Sequence, residues 1–181
     1  MRVVAGKYRG RHFLVPSSFK ARPTTDFAKE NLFNVLRSYI DFDAEPTALD
    51  LFAGTGSITL ELLSRGCRRV VCVEKDPQHF QLITSFLDKL GERNCYPLRA
   101  DVFRLLPTLH EQFDLIFADP PYSLQSLHSL PDIIQGHRLL KPDGIFALEH
   151  GKADDFHANP CLIDTRQYGS VNFSLFRFPQ T

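Results

Sequence analysis

No apolar run in this chain approaches the length of a bilayer span, and no hydrophobic stretch follows the basic residues at its start. Neither a membrane helix nor a secretory leader is expected, which makes the cytoplasm the expected compartment. The four cysteines, Cys67, Cys72, Cys95 and Cys161, lack any C-x-x-C spacing. A zinc site and a disulfide framework are thereby disfavoured, and no metal is expected. Repeats and low-complexity tracts are absent as well. So is net charge, but its distribution is uneven: residues 1–25 hold Arg2, Lys7, Arg9, Arg11, Lys20 and Arg22 without one Asp or Glu, a local +6 against −6 in the remainder. A basic arm on a mildly acidic body suits a polyanionic partner, although basic termini that bind nothing are also common.

What is present fits one globular domain. A length of 181 residues is enough to bury a core and too short for a second sizeable module. Residues 1–18 pair apolar stretches around a turn-like Gly6 to Gly10 region, as a small hairpin would. Phe27, Leu32, Phe33, Leu36 and Ile40 recur at helical spacing behind Thr24 and Thr25, predicting a helix over 26–39. Short apolar runs then alternate with amphipathic stretches. Strands are expected at 48–52, 70–73, 96–100, 113–118 and 144–148, with helices over 57–64, 77–90 and 127–139 and a short turn or helix before Leu106. Strands this apolar are buried on both faces, as in a parallel sheet. Beyond Leu162 aromatic and polar residues alternate around Gly169, predicting one or two antiparallel strands at the sheet edge.

In a doubly wound sheet, ligands collect at the carboxyl ends of the strands. Asp50-Leu51-Phe52-Ala53-Gly54-Thr55-Gly56-Ser57 ends the first core strand and opens a helix, with glycines that let backbone approach a ligand. A Gly-x-Gly turn alone is weak evidence. Glu74, twenty residues after Gly54 at the end of the next strand, could accept both hydroxyls of a ribose. The pair indicates an adenosine cofactor without choosing between NAD and others. Thr59 stands where a dinucleotide fingerprint has its third glycine, and Asp50 suits a cationic amino-acid moiety better than a pyrophosphate. Asp101 could accept from an adenine amino group, with the Val102 N–H facing a ring nitrogen. Equally, Asp101 could cap the following helix.

The most specific feature is Asp119-Pro120-Pro121-Tyr122 at the end of the fourth strand. The lone pair of a nucleobase amino group is delocalised into the ring and is a poor nucleophile. An Asp119 oxygen and the Pro120 carbonyl, fixed by the following proline, can each accept one of its N–H groups and aim the lone pair at a methyl donor. Tyr122 can stack on the base. The proton becomes acidic once nitrogen is alkylated and can leave to Asp119 or to water.

Together with Phe52-Ala53-Gly54-Thr55-Gly56, this tetrapeptide resembles amino-group methyltransferases of DNA or RNA. Gly6-Lys7-Tyr8-Arg9-Gly10-Arg11, Arg22-Pro23-Thr24, Lys29-Glu30-Asn31-Leu32-Phe33-Asn34, Leu63-Ser64-Arg65-Gly66, Leu140-Lys141-Pro142-Asp143-Gly144 and Tyr168-Gly169 extend the likeness over nearly the whole chain, to the RsmD-type bacterial 16S rRNA guanine-N2 methyltransferases. The resemblance implies a Rossmann-like, seven-stranded α/β methyltransferase fold, mostly parallel with an antiparallel C-terminal strand, behind a short N-terminal β-hairpin. It also implies S-adenosylmethionine as cofactor and 16S rRNA, within a 30S particle or assembly intermediate, as substrate. Carried across, Asp50, Phe52, Gly54 and Gly56 hold the amino-acid end of the cofactor, Glu74 its ribose, and Asp101 and Val102 its adenine. Asp119, Pro120 and Tyr122 hold the base, and Lys7, Arg9, Arg11 and Arg22 the RNA; a monomer is expected. At one place the chain departs: Phe27-Ala28 stands where the family has a basic residue and a valine, which removes a phosphate contact. Guanine is not derivable from the tetrapeptide, which adenine-N6 DNA methyltransferases share. Such an enzyme would need further residues to read its recognition sequence. A non-catalytic RNA-binding assembly factor and an NAD-linked oxidoreductase are weaker alternatives: the motifs are intact, and no histidine stands in a constellation suited to hydride transfer.

Overall fold

Apolar runs that cannot be covered from one side become the middle of a sheet. The computed structural model describes residues 1–19, 24–121 and 123–179. Its strands are β1 (Thr47–Leu51), β2 (Arg69–Glu74), β3 (Cys95–Arg99), β4 (Phe113–Ala118), β5 (Leu140–His150), β6 (Leu162–Tyr168) and β7 (Val171–Phe176). They form one sheet in the order β3-β2-β1-β4-β5-β7-β6. Pairing is parallel from β3 through to β5, whereas β7 runs antiparallel to both β5 and β6. All five residues of the central β1 are buried.

The helices are α1 (Asp26–Leu36), α2 (Ser57–Ser64), α3 (Pro77–Leu90), α4 (Val102–Leu105) and α5 (Leu130–Gly136). Local chemistry sets their ends. Thr25 accepts the Ala28 N–H to open α1, and Asp76 accepts from Gln78 and His79 to open α3 with proline in its first turn. On one face of the sheet Leu32, Phe33, Ile58, Leu60 and Phe86 pack on Ala48, Cys72 and Phe117; on the other Leu106, Leu130 and Ile134 pack on Leu49, Val71 and Ile116.

Three expectations change in extent. The helix expected over 26–39 ends at Leu36, and the chain turns through Tyr39 and Ile40, whose N–H groups both return to the Leu36 carbonyl. The helix expected over 127–139 is a 3₁₀ turn, Leu127–Ser129, followed by α5. β5 begins at Leu140 rather than Gly144, because Phe113 still pairs with Leu140 across an irregularity that absorbs the polar Lys141-Pro142-Asp143 step. Both tail strands form, turned by Gly169 at φ +64.

The N-terminal hairpin is reduced to an isolated bridge between Arg2 and His12, with Val3 N–H donating to the Arg11 carbonyl and Gly10 N–H to that of Val3. It is fastened to α2. Glu61, fully buried, accepts the N–H groups of Val4 and Ala5, both at 2.9 Å. Ser64 accepts from Tyr8 N–H and donates to the Ala5 carbonyl. Lys29, also buried, lies 3.6 Å from Glu61 and donates to the Arg2 carbonyl. Gly6 sits at φ +80 against this helix, where a Cβ would collide with the Ser64 carbonyl oxygen.

Candidate active site

Strand order reverses between β1 and β4, and four acidic residues gather at the carboxyl ends of the strands there: Asp50 in β1, Glu74 ending β2, Asp119 just past β4 and Glu149 near the end of β5. A parallel sheet puts these ends on one edge. Asp50 is 1 % exposed and accepts the Thr59 hydroxyl of α2 at 2.5 Å. Burial, reinforced by the charges of Asp119 and Glu74 and only partly relieved by Thr59, pushes its carboxyl up to about 7. Burial raises Asp119 to about 6.

Between β1 and α2 the chain makes its ligand-type turn. Phe52 takes a positive φ of 60, a strained conformation for an aromatic residue, and Ala53 N–H donates to the Val73 carbonyl. Gly56 sits at φ +78 with its missing side chain facing Ile83, whose Cγ1 would lie 3.0 Å from a Cβ. Glu74 braces the loop, accepting Gly54 N–H on Oε2 and Asp76 N–H on Oε1, each at 2.7 Å. Behind the loop, the buried Ser57 Oγ has no partner among the described residues.

Beside Glu74, Asp101 does what its capping alternative required: Oδ1 accepts from Phe103 and Arg104, opening α4 ahead of the buried Val102. Its Oδ2 holds Lys75 at 3.0 Å, which draws the carboxyl below its ordinary range. Phe103, not anticipated from sequence, lies 6.3 Å from the Phe52 ring and gives this corner an apolar wall. Asp119 N–H reaches back to the Leu51 carbonyl at 3.5 Å, tying the Asp119-Pro120 turn to the glycine loop. Tyr122 and Arg22 lie outside the described residues. Of the basic arm, Lys7 is engaged by Glu92 at 2.8 Å, whereas Arg9 and Arg11 are exposed and form no ion pair among the described residues. The arm is fastened along α2 through Glu61 and Ser64, and its first residue reaches the glycine loop, where the Thr55 hydroxyl lies 3.7 Å from the Met1 sulfur. Phe27 is 66 % exposed on α1.

Thus Asp50, Phe52, Gly54, Gly56 and Glu74 are built around one loop, with Asp101 and Val102 on its β3 side and Asp119 and Pro120 on its β4 side. Carboxyls gathered at one edge of the sheet beside an orphaned hydroxyl fit a ligand with a cationic centre and a sugar. Sequence reading named Thr59 and Ser57 without a role for their hydroxyls, and missed Glu149. The signal for Glu149 was the same as for Glu74, an acid closing an apolar strand.

The whole course of the chain matches known proteins. The family model described as Conserved hypothetical protein 95 matches residues 1–177. Similarity to YlbH of Bacillus subtilis is 35 % identity over 98 % of both chains. With ribosomal RNA small subunit methyltransferase D of Haemophilus influenzae it is 31 %, over 98 % of this chain and 93 % of that one. The chain belongs to this RsmD-type methyltransferase family. A solved hypothetical protein of Thermus thermophilus superposes on 98 % of the chain, and 99 % of its own, at a TM-score of 0.84 and 29 % identity. Among the described residues no helix is long and apolar enough to cross a membrane, and no group of His, Cys, Asp and Glu could hold a metal ion.

Proposed function

We propose that this RsmD-type enzyme transfers a methyl group from S-adenosylmethionine to the exocyclic N2 of a guanine in small-subunit rRNA, acting in the cytoplasm as a monomer on a 30S particle or its assembly intermediate. The observation that carries the reading is the Asp119-Pro120 turn, half-buried at Asp119 and bonded to the carbonyl of Leu51 in the strand that feeds the glycine loop.

S-adenosylmethionine supplies an electrophilic methyl on a sulfonium. Asp50 meets the ammonium of its amino-acid part, and Phe52, Gly54 and Gly56 shape the loop around it. Glu74, whose oxygens keep free lone pairs beside their backbone bonds, takes the ribose hydroxyls; Asp101 and Val102 take the adenine edge. On the other side, Asp119 and the Pro120 carbonyl each accept an N–H of the target amine, and Tyr122 stacks on the ring. Two acceptors in those places leave the nitrogen lone pair pointing at the donor, which is the costly part of the reaction. After transfer the proton passes to Asp119, whose raised affinity for protons suits that task. Arg9, Arg11 and Arg22 contact phosphates.

Asp119→Ala separates chemistry from cofactor binding. Methyl transfer to 30S particles from cells lacking the protein is expected to fall by at least about a thousandfold, with S-adenosylhomocysteine affinity by calorimetry within about threefold of the parent. Equal loss of both would mean that Asp119 belongs to the cofactor cradle. Mapping modified bases in the rRNA of those cells identifies the target, and a missing methyl on adenine, or on DNA, would overturn the guanine assignment.

A further inference from the structure

Glu149 belongs to neither the base clamp nor the cofactor cradle described above. It is only 6 % exposed, and its Oε2 has no hydrogen-bond partner among the described residues. Asp50 has the Thr59 hydroxyl and Glu74 has two backbone N–H groups, so Glu149 stands apart within the same edge of the sheet. A buried acceptor left open is costly unless a partner arrives.

Its position says what that partner would be next to. Strands β4 and β5 are parallel with Ala118 beside Leu148, so the next residue of each stands side by side, Asp119 just past the end of β4 and Glu149 still in β5 opposite Phe173. Phe117 and Ala147, two residues earlier, share the face packed by α1 to α3, the alternation of β5 returns Glu149 to that face, and the Asp119 charge is felt there. The open carboxyl thus flanks the group that holds the amine.

Base chemistry then discriminates. Adenine N6 is flanked by N1 and N7, both acceptors, and cytosine N4 by N3, an acceptor. Only guanine carries an N–H donor, N1–H, next to its exocyclic amine. An acceptor placed beside the amine clamp gains a bond from guanine and meets a lone pair on the others.

We propose that Glu149 is the guanine-selecting residue, its carboxyl accepting N1–H while Asp119 and Pro120 hold N2. The inference rests on the guanine reading above and names the group that enforces it. Burial and the charge of Asp119 push Glu149 up to about 8, so in the free protein it carries a proton. A cationic cofactor and a guanine N–H both favour its ionised form, in which it accepts and cannot donate. Because Oε2 is closed to solvent, its neighbours must part for a base to reach it, and the bond then forms away from competing water.

The test uses 30S particles assembled on 16S rRNA that carries guanine or 2-aminopurine at the mapped nucleotide. 2-Aminopurine keeps the amine but has a lone pair at N1. The parent enzyme is expected to prefer guanine by about a hundredfold or more in kcat/KM. Glu149→Gln, nearly isosteric with the protonated acid, can turn its amide N–H₂ toward that lone pair. It is expected to narrow the preference at least about tenfold, with S-adenosylhomocysteine affinity unchanged. A preference that is the same in both enzymes, or a parent that methylates both bases equally, overturns the proposal. Failure of the guanine reading is visible separately and first, in a parent enzyme that leaves the guanine-bearing particle unmodified.

Discussion

Asp50 is held among apolar side chains with one hydroxyl for company, and its pKa of about 7 follows from that burial. Under the proposed function the consequence is a pH-dependent cofactor site. Below pH 7 Asp50 takes up a proton and offers a neutral group to the cofactor's ammonium, so S-adenosylhomocysteine affinity falls as pH falls, approaching tenfold per unit. Asp50→Asn is expected to reduce this slope by up to one unit, measured by calorimetry from pH 5.5 to 8; an unchanged slope would place the ammonium elsewhere. For the free protein the sign is opposite. An acid whose folded pKa lies above its ordinary 3.8 stabilises the fold at low pH and loses that contribution as pH rises toward 7. Asp50, Glu74 and Asp119 were legible in the sequence because each stands at or beside the end of an apolar strand, before a glycine or proline signal. Glu149 stands near the end of its strand ahead of Gly151 too, but its importance depends on its register beside Asp119, which composition alone does not show.

At the scale of elements, the joint between the arm and α2 was invisible beforehand. All eight residues of α2 are buried, so its apolar periodicity marks no outward face and Glu61 in Leu60-Glu61-Leu62 reads as an ordinary polar position. Instead Glu61 receives two arm amides, Arg65 and the buried Lys29, whose pKa burial lowers despite the nearby acids. Glu61→Ala strands Lys29 without its buried partner and is expected to destabilise the protein by about 3–5 kcal/mol. Gly6→Ala combines a left-handed φ with a collision at the Ser64 carbonyl, and is expected to cost about 2–4 kcal/mol. Urea unfolding measures both, and hydrogen exchange of residues 3–11 should rise in each; normal stability in Gly6→Ala would mean that the arm does not rest on α2. By contrast, the strand and helix order was readable throughout, because buried parallel strands and capped helices announce themselves through local composition. Element ends were not, since Leu140 pairs through a long-range register that a polar stretch conceals.

For the whole molecule, the basic arm seen in the sequence lies along α2, held at Glu61 and Ser64, while the glycine loop and its carboxylates stand at the start of that helix. Only part of that arm is available to a polyanion. Arg9→Ala and Arg11→Ala should each lower the salt slope of rRNA affinity by about 0.7–0.9. Lys7→Ala should change it less, because Glu92 already neutralises that side chain. Titrations at several KCl concentrations check this, and equal slopes for all four proteins would remove the arm from the RNA interface. Helix α2 itself has a further consequence. Its eight residues span about 12 Å, with the glycine loop at its start and Ser64, bolted to the arm, at its end. Under the proposed function the arm and the loop that holds the methyl donor are both fixed to this one helix, so a phosphate held by the arm and the methyl donor stand a set distance apart. The enzyme would then choose its nucleotide within the rRNA by measuring along a rod, with no need to read the neighbouring letters.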